Sequence, residues 1–229
     1  METRGKPRIA VVVCALLAGL SPTAAAKIMY VDGDAKESGQ GTSWADPYKY
    51  FQRALTTAGA GAEIRVAQGV YRPDQGLPVS RAVRSRSGSM PSVPVFQLKN
   101  GVKILGGFAG IGAPDPNARD LERYPTIMSG DLHGNDVDLW GPENPMYAPL
   151  HADNSLHVVQ SIQTDGTAVL DGFVIESAAD SDFFNQGGSP SIANCVFQKG
   201  ATANAGGALR CEGGQPTLTN CVFQENGAL

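Results

Sequence analysis

The sequence predicts an all-β protein, a right-handed parallel β-helix with a short N-terminal capping α-helix. Three observations favour this fold class: an internal repeat, short β-type runs broken by Gly, Asn or Pro, and a composition with 28 Gly and 15 Pro among 229 residues. The net charge is −4, so the chain lacks the basic excess of a typical DNA-binding protein. No apolar run reaches the roughly 18 residues that a membrane-spanning helix needs.

The internal repeat carries most of this prediction. Residues 188–198 and 214–224 are identical at seven of eleven positions, at an offset of 26 residues, and both end in Asn-Cys-Val-Phe-Gln. Residues 170–175 align with 192–197 as a weaker copy, and residues 104–108 form a still weaker one. One such unit cannot bury its apolar side chains alone, whereas stacked units can. The rival interpretation, an antiparallel sandwich with accidental similarity, does not account for identities at one offset.

Stacked units place equivalent residues about 4.8 Å apart in adjacent coils. We therefore expect three sets of pairs along the stack. Asn194 and Asn220 fall between two strands, where Asn tolerates the left-handed backbone of a sharp turn, and one Asn side chain is expected to hydrogen-bond the next. The core is expected to contain stacked apolar pairs: Ile192 with Leu218, and Val196 with Val222 or Phe197 with Phe223.

Residues 1–26 are predicted to be a secretory signal peptide. A basic start precedes an apolar run, Ile9–Leu20, and small residues lead to a cleavage site after Ala26. The run is too short to span a bilayer permanently. We therefore expect an exported protein, extracellular or at the cell surface or outer membrane, whose mature part is residues 27–229.

Residues 27–229 are predicted to form a single β-helix domain. Asp46-Pro47 is typical of a helix N-cap and first turn, and apolar residues at helical spacing follow, which predicts a capping helix over about 46–58. Phe51 and Leu55 share one face of this helix and are expected to plug the N-terminal end of the core. Long loops, where function is expected on a rigid scaffold, are predicted at 72–94, 109–125 and 131–154, and regular coils at 156–229.

Two families resemble parts of this chain. Gly206-Gly207-Ala208-Leu209, followed by Phe223-Gln224-Glu225-Asn226, resembles the GGA[ILV]…FxxN repeat of chlamydial-type polymorphic outer membrane proteins, although the preceding copy has Gly200 where the motif has Asn. The N-terminal part resembles exported right-handed parallel β-helix proteins of environmental bacteria. This second resemblance is carried by residues 30–34, 41–46, 64–71, 126–131 and 169–175. Both resemblances imply the fold, and the fold alone does not determine an activity.

The sequence lacks the residue strings of the enzymes that this fold hosts. The Asp pairs and Gly-His-Gly of polygalacturonases and the Asp-His and Arg-x-Pro-x-x-Arg strings of pectate lyases are absent. Gly41-Thr42-Ser43-Trp44-Ala45 lacks the final Gly of a serine nucleophile elbow. His157 alternates along a predicted strand, and we interpret it as a wall residue with a hydrogen-bond partner.

The stretch 131–138 is a candidate metal site. Its oxygen-bearing side chains, with Gly134 allowing a sharp bend, suit a hard cation such as Ca²⁺, although the spacing is not that of an EF-hand. The alternative is a solvated acidic loop without metal. The candidate ligands are Asp131, Asn135, Asp136 and Asp138.

A small cationic patch is the candidate glycan contact. One Arg follows the predicted strand 69–71, and three more lie in the Ser-rich loop after it, where a flexible solvated insertion is the alternative. These residues are Arg72, Arg81, Arg84 and Arg86. Cys195 and Cys221 are expected on adjacent coils, at a separation that fits a disulfide or a thiol ladder, and we favour the ladder.

Three functions are consistent with these observations. The first is a non-catalytic secreted or surface module whose wall and loops contact glycan or another cell-surface partner. The second is a polysaccharide lyase or glycosidase with unrecognised catalytic residues, which requires carboxylates and Lys or Arg on one parallel face. The third is a structural stalk of a longer repeat array. The regular coils at 156–229 are expected to be incomplete at the C-terminus, where the final strands leave an apolar, unpaired end. We therefore expect either that downstream coils have been lost or that the chain self-associates through that end.

Overall fold

The computed structural model describes residues 26–77, 94–136, 153–202 and 206–228. Within them the protein is nearly all-β, with parallel sheets and one short helix, α1 (Phe51–Thr57). The strands of the first half are β1 (Lys27–Val31), β2 (Ala62–Ala67), β3 (Gly69–Tyr71), β4 (Phe96–Gln97), β5 (Lys103–Phe108), β6 (Thr126–Ser129), β7 (His157–Ile162) and β8 (Val169–Asp171). Those of the second half are β9 (Val174–Glu176), β10 (Ser181–Gln186), β11 (Ser191–Ala193), β12 (Val196–Gln198), β13 (Ala201–Thr202), β14 (Leu209–Glu212), β15 (Thr217–Thr219), β16 (Val222–Gln224) and β17 (Gly227–Ala228).

The strands form three parallel sheets and one two-stranded pair. Sheet A has the order β1-β2-β5-β8-β11-β15, sheet B the order β3-β6-β9-β12-β16, and sheet C the order β4-β7-β10-β14, while β13 pairs with β17. From β8 onward the chain enters sheet A, then sheet B, then sheet C, and then returns to sheet A. Each sheet therefore gains one strand every time that the chain completes this circuit.

The register confirms the repeat that the sequence predicted. Leu170, Ile192 and Leu218 are aligned across β8, β11 and β15, at the predicted offsets of 22 and 26 residues. Phe197 and Phe223 are aligned in the same way across β12 and β16. The same alignment holds upstream, where β5 pairs with β8 as the weak copy at 104–108 predicted.

The interior contains one row of apolar side chains from each sheet. Sheet A contributes Met29, Ile64, Ile104, Leu170, Ile192 and Leu218, sheet B contributes Tyr71, Met128, Ile175, Phe197 and Phe223, and sheet C contributes Phe96, Val159, Phe183 and Leu209. Most of these side chains belong to a single buried cluster. Apolar side chains therefore stack on equivalent apolar side chains of the adjacent coil, and this stacking builds one continuous core along the molecule.

Helix α1 begins later than the sequence predicted, at Phe51 instead of about residue 46. The carboxylate of Asp46 does not cap the helix, because it accepts hydrogen bonds from the backbone N–H of Gln40 (3.2 Å) and from Thr42 Oγ1 (3.3 Å). Tyr48 is held in a parallel bridge with Val31. Tyr48 therefore adds a single β-bridge to β1 before the helix starts.

The apolar face of α1 lies in the core, as predicted. Phe51 and Leu55 are both buried in the main cluster. The ring of Phe51 lies 4.9 Å from that of Phe96 and is parallel to that of Phe173 at 6.2 Å. Because α1 packs against β1 and β4, which are edge strands of two sheets, it covers the N-terminal end of the interior.

Of the three predicted loops, 109–125 is described completely. It folds back along sheet A through an antiparallel bridge between Phe108 and Arg119. Asn117 Oδ1 in this loop accepts a hydrogen bond from Trp44 Nε1 (3.0 Å). Residues 78–93 and 137–152 of the other two loops, and residues 1–25 of the predicted signal peptide, lie outside the described residues.

Candidate functional site

The outer surface of sheet B carries a row of five β-branched aliphatic side chains, here called the aliphatic stripe. Neighbouring members occupy equivalent positions on adjacent strands, so the stripe runs across all five strands of the sheet. Its two end members, Val70 and Val222, are 44% and 48% exposed. The members are Val70, Ile127, Val174, Val196 and Val222.

The outward position of Val196 settles an alternative that the sequence left open. Successive residues of a strand point to opposite faces, and Phe197 is fully buried while Val196 is only half-buried. The pair on the interior face is therefore Phe197 with Phe223, of which Phe197 is buried and Phe223 is exposed, and Val196 with Val222 stacks on the outside. Both residues are apolar, so their pattern alone does not identify the buried one.

A polar ladder borders the stripe on one side. Gln198 Nε2 donates to Glu176 Oε2 over 2.7 Å, and Gln224 Nε2 donates to Gln198 Oε1 over 2.8 Å. These residues lie two positions after the stripe members of their strands and share the outer face. We call Glu176, Gln198 and Gln224 the glutamine ladder. Sequence reasoning missed it, although Gln occurs at the same place in both copies of the repeat.

A second ladder borders the other side of the stripe, at the turns before β12 and β16. Asn194 Nδ2 donates to Asp171 Oδ1 (3.0 Å), and Asn220 Nδ2 donates to Asn194 Oδ1 (3.3 Å). Both Asn residues have the predicted left-handed backbone, with φ of 51° and 52°. The predicted asparagine contact between coils is therefore confirmed. Asp171, Asn194 and Asn220 are called the asparagine ladder.

Arg72 is the only candidate glycan contact among the described residues, and its side chain is engaged. Its Nε donates to the backbone oxygen of Asp131 over 2.6 Å. Arg72 follows β3 directly, so this bond ties the end of that strand to the loop after β6. The other three candidates, Arg81, Arg84 and Arg86, lie outside the described residues.

The carboxylate of Asp131 organises the loop that follows β6. Its Oδ1 accepts the backbone N–H of Gly134 (2.6 Å) and of Asn135 (3.1 Å), and its Oδ2 accepts that of Asp136 (3.1 Å). Asn154 Nδ2 donates to Asp136 Oδ2 over 2.9 Å. The loop is therefore closed by hydrogen bonds from its own backbone and from residue 154.

The predicted calcium site is only partly described. Asp131, Asn135 and Asp136 lie in one loop, but the oxygens of Asp131 already accept three backbone hydrogen bonds. Asp138 lies outside the described residues. Across the described ranges, no three His, Cys, Asp or Glu side chains are placed together to hold a metal ion. Calcium binding stays a prediction.

A second polar group lies on sheet C around His157. Its Nδ1 lies 2.8 Å from Ser181 Oγ, and its ring stacks on that of Phe184 at 4.6 Å. Burial lowers the pKa of His157, and this effect outweighs that of the nearby Asp180 carboxylate, which raises the pKa. The neutral imidazole is therefore the favoured form near pH 7.

Arg210 lies beside this group on β14. Its Nη1 lies 3.1 Å from Asp180 Oδ2, and its Nη2 lies 2.6 Å from Glu212 Oε1. This region brings carboxylates, an Arg and a His onto one parallel sheet, which is the arrangement that the enzyme hypothesis required. The guanidinium, however, is shared between two carboxylates and is not directed at an open site.

Ser181, His157 and Asp180 do not have the geometry of a serine hydrolase triad. In such a triad the Ser and the carboxylate bind different nitrogens of the imidazole. Here both approach Nδ1, at 2.8 Å and 3.9 Å. Ser181 is also fully buried. This arrangement therefore gives no support to Ser181 as a nucleophile.

Asp182 is a completely buried carboxyl group of β10. Its Oδ1 accepts the backbone N–H of Ala178 (3.1 Å), and no residue of the described chain hydrogen-bonds its Oδ2. Burial raises the pKa of Asp182 well above its ordinary value. The protonated, neutral form is therefore the one that the fold favours.

The three cysteines of the described residues are free thiols. Cys195 is buried, Cys221 is partly buried and Cys211 is exposed. Burial raises the pKa of the Cys195 thiol to about 12. The thiol ladder that we favoured from the sequence matches this state better than a disulfide.

Comparison with protein-family models, with curated proteins and with solved structures gave no match to this chain. The described part of the chain contains no helix that is long and apolar enough to cross a membrane.

Proposed function

We propose that the three sheets close into a right-handed parallel β-helix and that the protein is an exported, non-catalytic module that contacts polysaccharide through the outer face of sheet B. The repeated passage through sheets A, B and C supports a closed coil. Connections between parallel strands of one sheet are almost always right-handed, which supports the handedness. The composition of residues 1–26 supports export.

The observation that carries this proposal is the aliphatic stripe between its two ladders. The coils of β12 and β16 repeat the same outer group, an amide, an aliphatic side chain and a second amide, after about 4.8 Å along the stack. The coil before them has the carboxylates of Asp171 and Glu176 at the two outer places. An extended polysaccharide that lies along the stack presents its own repeating unit in the same direction. Periodic contacts of this kind accumulate, because each additional coil adds the same weak interaction.

The chemistry of the face suits a sugar polymer of low charge. Amides of the glutamine and asparagine ladders both donate and accept hydrogen bonds, as sugar hydroxyl groups do. The Val side chains offer apolar surface to the C–H faces of a sugar ring. The face has two carboxylates, Glu176 in the glutamine ladder and Asp171 in the asparagine ladder. Asp171 is held in an ion pair with Arg119 over 2.8 Å, whereas a glycosidase needs two carboxyl groups that are available to the substrate. The face therefore supports binding more than hydrolysis.

A glycan array with residues 27–229 tests this proposal. The variants Val222→Lys and Gln198→Ala change the face, and Leu156→Lys changes a similarly exposed apolar residue outside sheet B. We expect the wild type and Leu156→Lys to bind the same extended polysaccharides, and we expect both face variants to bind them at least about tenfold more weakly. Equal binding by all four proteins would contradict the assignment of the face.

A second candidate function is a polysaccharide lyase or glycosidase centred on sheet C. The observation that favours it is the group of His157, Asp180, Arg210 and Glu212 described above. A neutral His is suited to accept a proton. An assay for unsaturated sugar products, with His157→Gln as the matched variant, tests it. Activity that the variant lacks would replace the non-catalytic proposal, and no turnover of acidic polysaccharide would remove the lyase.

A further inference from the structure

The two ladders beside the aliphatic stripe run in the same direction. In the glutamine ladder, Gln224 Nε2 donates to Gln198 Oε1, and Gln198 Nε2 donates to Glu176 Oε2. The asparagine ladder repeats this order, because each of its amide nitrogens also donates to a residue of the preceding coil. In both ladders the amide nitrogens therefore face the earlier coil and the amide oxygens face the later one.

The carboxylate at the start of the glutamine ladder accounts for this direction. An amide group has donors on its nitrogen and an acceptor oxygen, so a row of amides is able to run either way. An ionised carboxylate has acceptor oxygens only, so Gln198 must turn its nitrogen toward Glu176. The oxygen of Gln198 then faces Gln224, which must turn its nitrogen in the same way. The opposite direction would place two acceptors, Gln198 Oε1 and Glu176 Oε2, against each other.

The asparagine ladder starts at a carboxylate of the same coil. Asp171 Oδ1 accepts a hydrogen bond from Asn194 Nδ2 over 3.0 Å and one from Arg119 Nη2 over 2.8 Å. The guanidinium group of Arg119 is held in turn, because its Nε donates to the backbone oxygen of Gly106 over 2.8 Å. A guanidinium group only donates, so Asp171 also presents acceptor oxygens to its ladder. The two ladders are therefore parallel for the same physical reason.

Each amide group of the ladders retains a donor for a ligand. A side-chain amide nitrogen carries two N–H groups. Within the described chain, each of the four ladder nitrogens makes one hydrogen bond. A polymer on the stripe therefore meets N–H groups and oxygens in the same order on both of its sides. The two directions of a polysaccharide chain are chemically different, so this order favours one of them.

We propose that Glu176 is a positioning residue that sets the direction of the glutamine ladder, in parallel with the ladder that starts at Asp171. The face of sheet B consequently binds an extended polysaccharide of low charge in a single chain direction. This inference rests on the proposed function, because it concerns the same face. The direction of the ladder is nevertheless measurable without any sugar, so the two ideas are tested separately.

Replacement of Glu176 tests the ladder alone. Glu176→Lys puts a donor in place of the carboxylate, so Gln198 should turn its oxygen toward it and Gln224 should accept a hydrogen bond instead of donating one. By NMR of ¹⁵N-labelled residues 27–229, we expect the side-chain NH₂ protons of Gln224 to exchange with water about fivefold faster in this variant, while those of Gln198 keep their wild-type rate. Glu176→Gln, whose side chain both donates and accepts, should give an intermediate rate for Gln224. Glu37→Lys, the same charge change at an exposed residue outside sheet B, should leave both rates unchanged.

Cellopentaose, a neutral and unbranched β-1,4-linked pentasaccharide, tests the chain direction. A nitroxide label at its reducing end broadens the NMR signals of nearby methyl groups. The end members of the stripe, Val70 and Val222, lie four strand spacings apart, about 19 Å, so the label approaches only one of them in a given direction. For the wild type we expect at least about fivefold stronger broadening at one Val than at the other, because one hydrogen bond of difference favours one direction by about that factor. In Glu176→Lys, which reverses one of the two ladders, the two signals should broaden to within about twofold of each other.

The outcomes separate the inference from the proposed function. An unchanged exchange rate of Gln224 in Glu176→Lys would overturn the positioning role of Glu176. Equal broadening of Val70 and Val222 in the wild type would overturn the single chain direction. If cellopentaose changes no signal of sheet B, the proposed binding face fails and the chain direction fails with it, while the exchange rates still decide the direction of the ladder.

Discussion

The two ends of the stack contain similar apolar side chains but differ in what covers them. At the N-terminal end α1 buries Phe51 and Leu55 in the core, against residues of all three sheets. At the C-terminal end Leu218 and Phe223 continue the interior rows and are exposed. The first end is closed by a segment with helical periodicity, and the second end retains the strand pattern of the repeat. A segment that departs from the repeat therefore covers one end of the described stack, whereas the segment that keeps the repeat leaves the interior residues of its strands exposed.

The largest expected effect is a difference in stability between two Leu→Ala variants, one at each end of the stack. Leu55→Ala leaves a cavity in a buried site and should lower the free energy of unfolding by about 2–5 kcal/mol. Leu218→Ala removes a side chain that water already reaches and should cost less than about 1 kcal/mol. Urea denaturation of residues 27–229 measures both. If the two variants lost the same stability, the ends would not differ as described.

The buried carboxyl of Asp182 gives the second effect, a dependence of stability on pH. Burial raises the pKa of Asp182 in the folded state, so between its unfolded pKa and its higher folded pKa the folded protein holds a proton that the unfolded chain has lost. Its contribution to stability is complete below the unfolded pKa and falls as the pH rises, by about 1.4 kcal/mol per pH unit within that interval.

Asp182→Asn removes this titration while keeping the shape of the side chain. We expect unfolding midpoints measured from pH 4 to pH 8 to fall less steeply for the variant than for the wild type. Parallel curves would show that Asp182 is not buried as described, and that the core near the C-terminal half is more open than the core beside α1.

Lys99 provides a third, smaller effect at the closed end. Its ammonium group donates to the backbone oxygens of Leu55, Thr56 and Ala58, where the carbonyl groups of α1 have no helical partner. Lys99→Met should therefore lower the stability by about 1–2 kcal/mol. Lys103→Met, an exposed Lys of β5, is the matched control and should change it by less than about 0.5 kcal/mol. An equal loss in both variants would remove the role of Lys99 in holding the helix.

Calcium binding by the loop after β6 has the smallest expected effect. The carboxylate of Asp131 already accepts hydrogen bonds from three backbone N–H groups, which compete with a metal ion for its oxygens. Millimolar Ca²⁺ should therefore stabilise the protein by about 1 kcal/mol or less. EDTA should reverse the gain, and Asp136→Ala should abolish it. A thermal midpoint that does not change with Ca²⁺ would leave a hydrogen-bonded loop without metal.

The repeat made the register predictable, because identical strings at a fixed offset align equivalent residues. It also made the left-handed turns at Asn194 and Asn220 predictable, since Asn tolerates that backbone. Which face of β12 is buried was not predictable, because Val196 and Phe197 are both apolar and either could lie in the core. The start of α1 was missed because the hydrogen bonds of Asp46 come from residues 40 and 42, and no local propensity encodes them.

The features that the sequence did not predict depend on contacts between residues that are distant in the chain. Lys99 meets α1 more than forty residues earlier in the chain. The burial of Asp182 depends on packing between coils, since a single Asp inside a strand pattern gives no signal of its surroundings. The glutamine ladder was accessible in principle, because Gln198 and Gln224 repeat with the rest of the motif.

Amide hydrogen exchange along the stack tests most directly the claim that one end is closed and the other open. For residues 27–229 we predict the slowest exchange in β5, β8 and β11 and exchange at least about tenfold faster in β15 and β16, whose outer edges are unpaired. Protection in β2, next to the end that α1 covers, should resemble that of the central strands. Protection in β15 and β16 equal to that in β11 and β12 would show that the C-terminal edge is covered, and it would contradict the account.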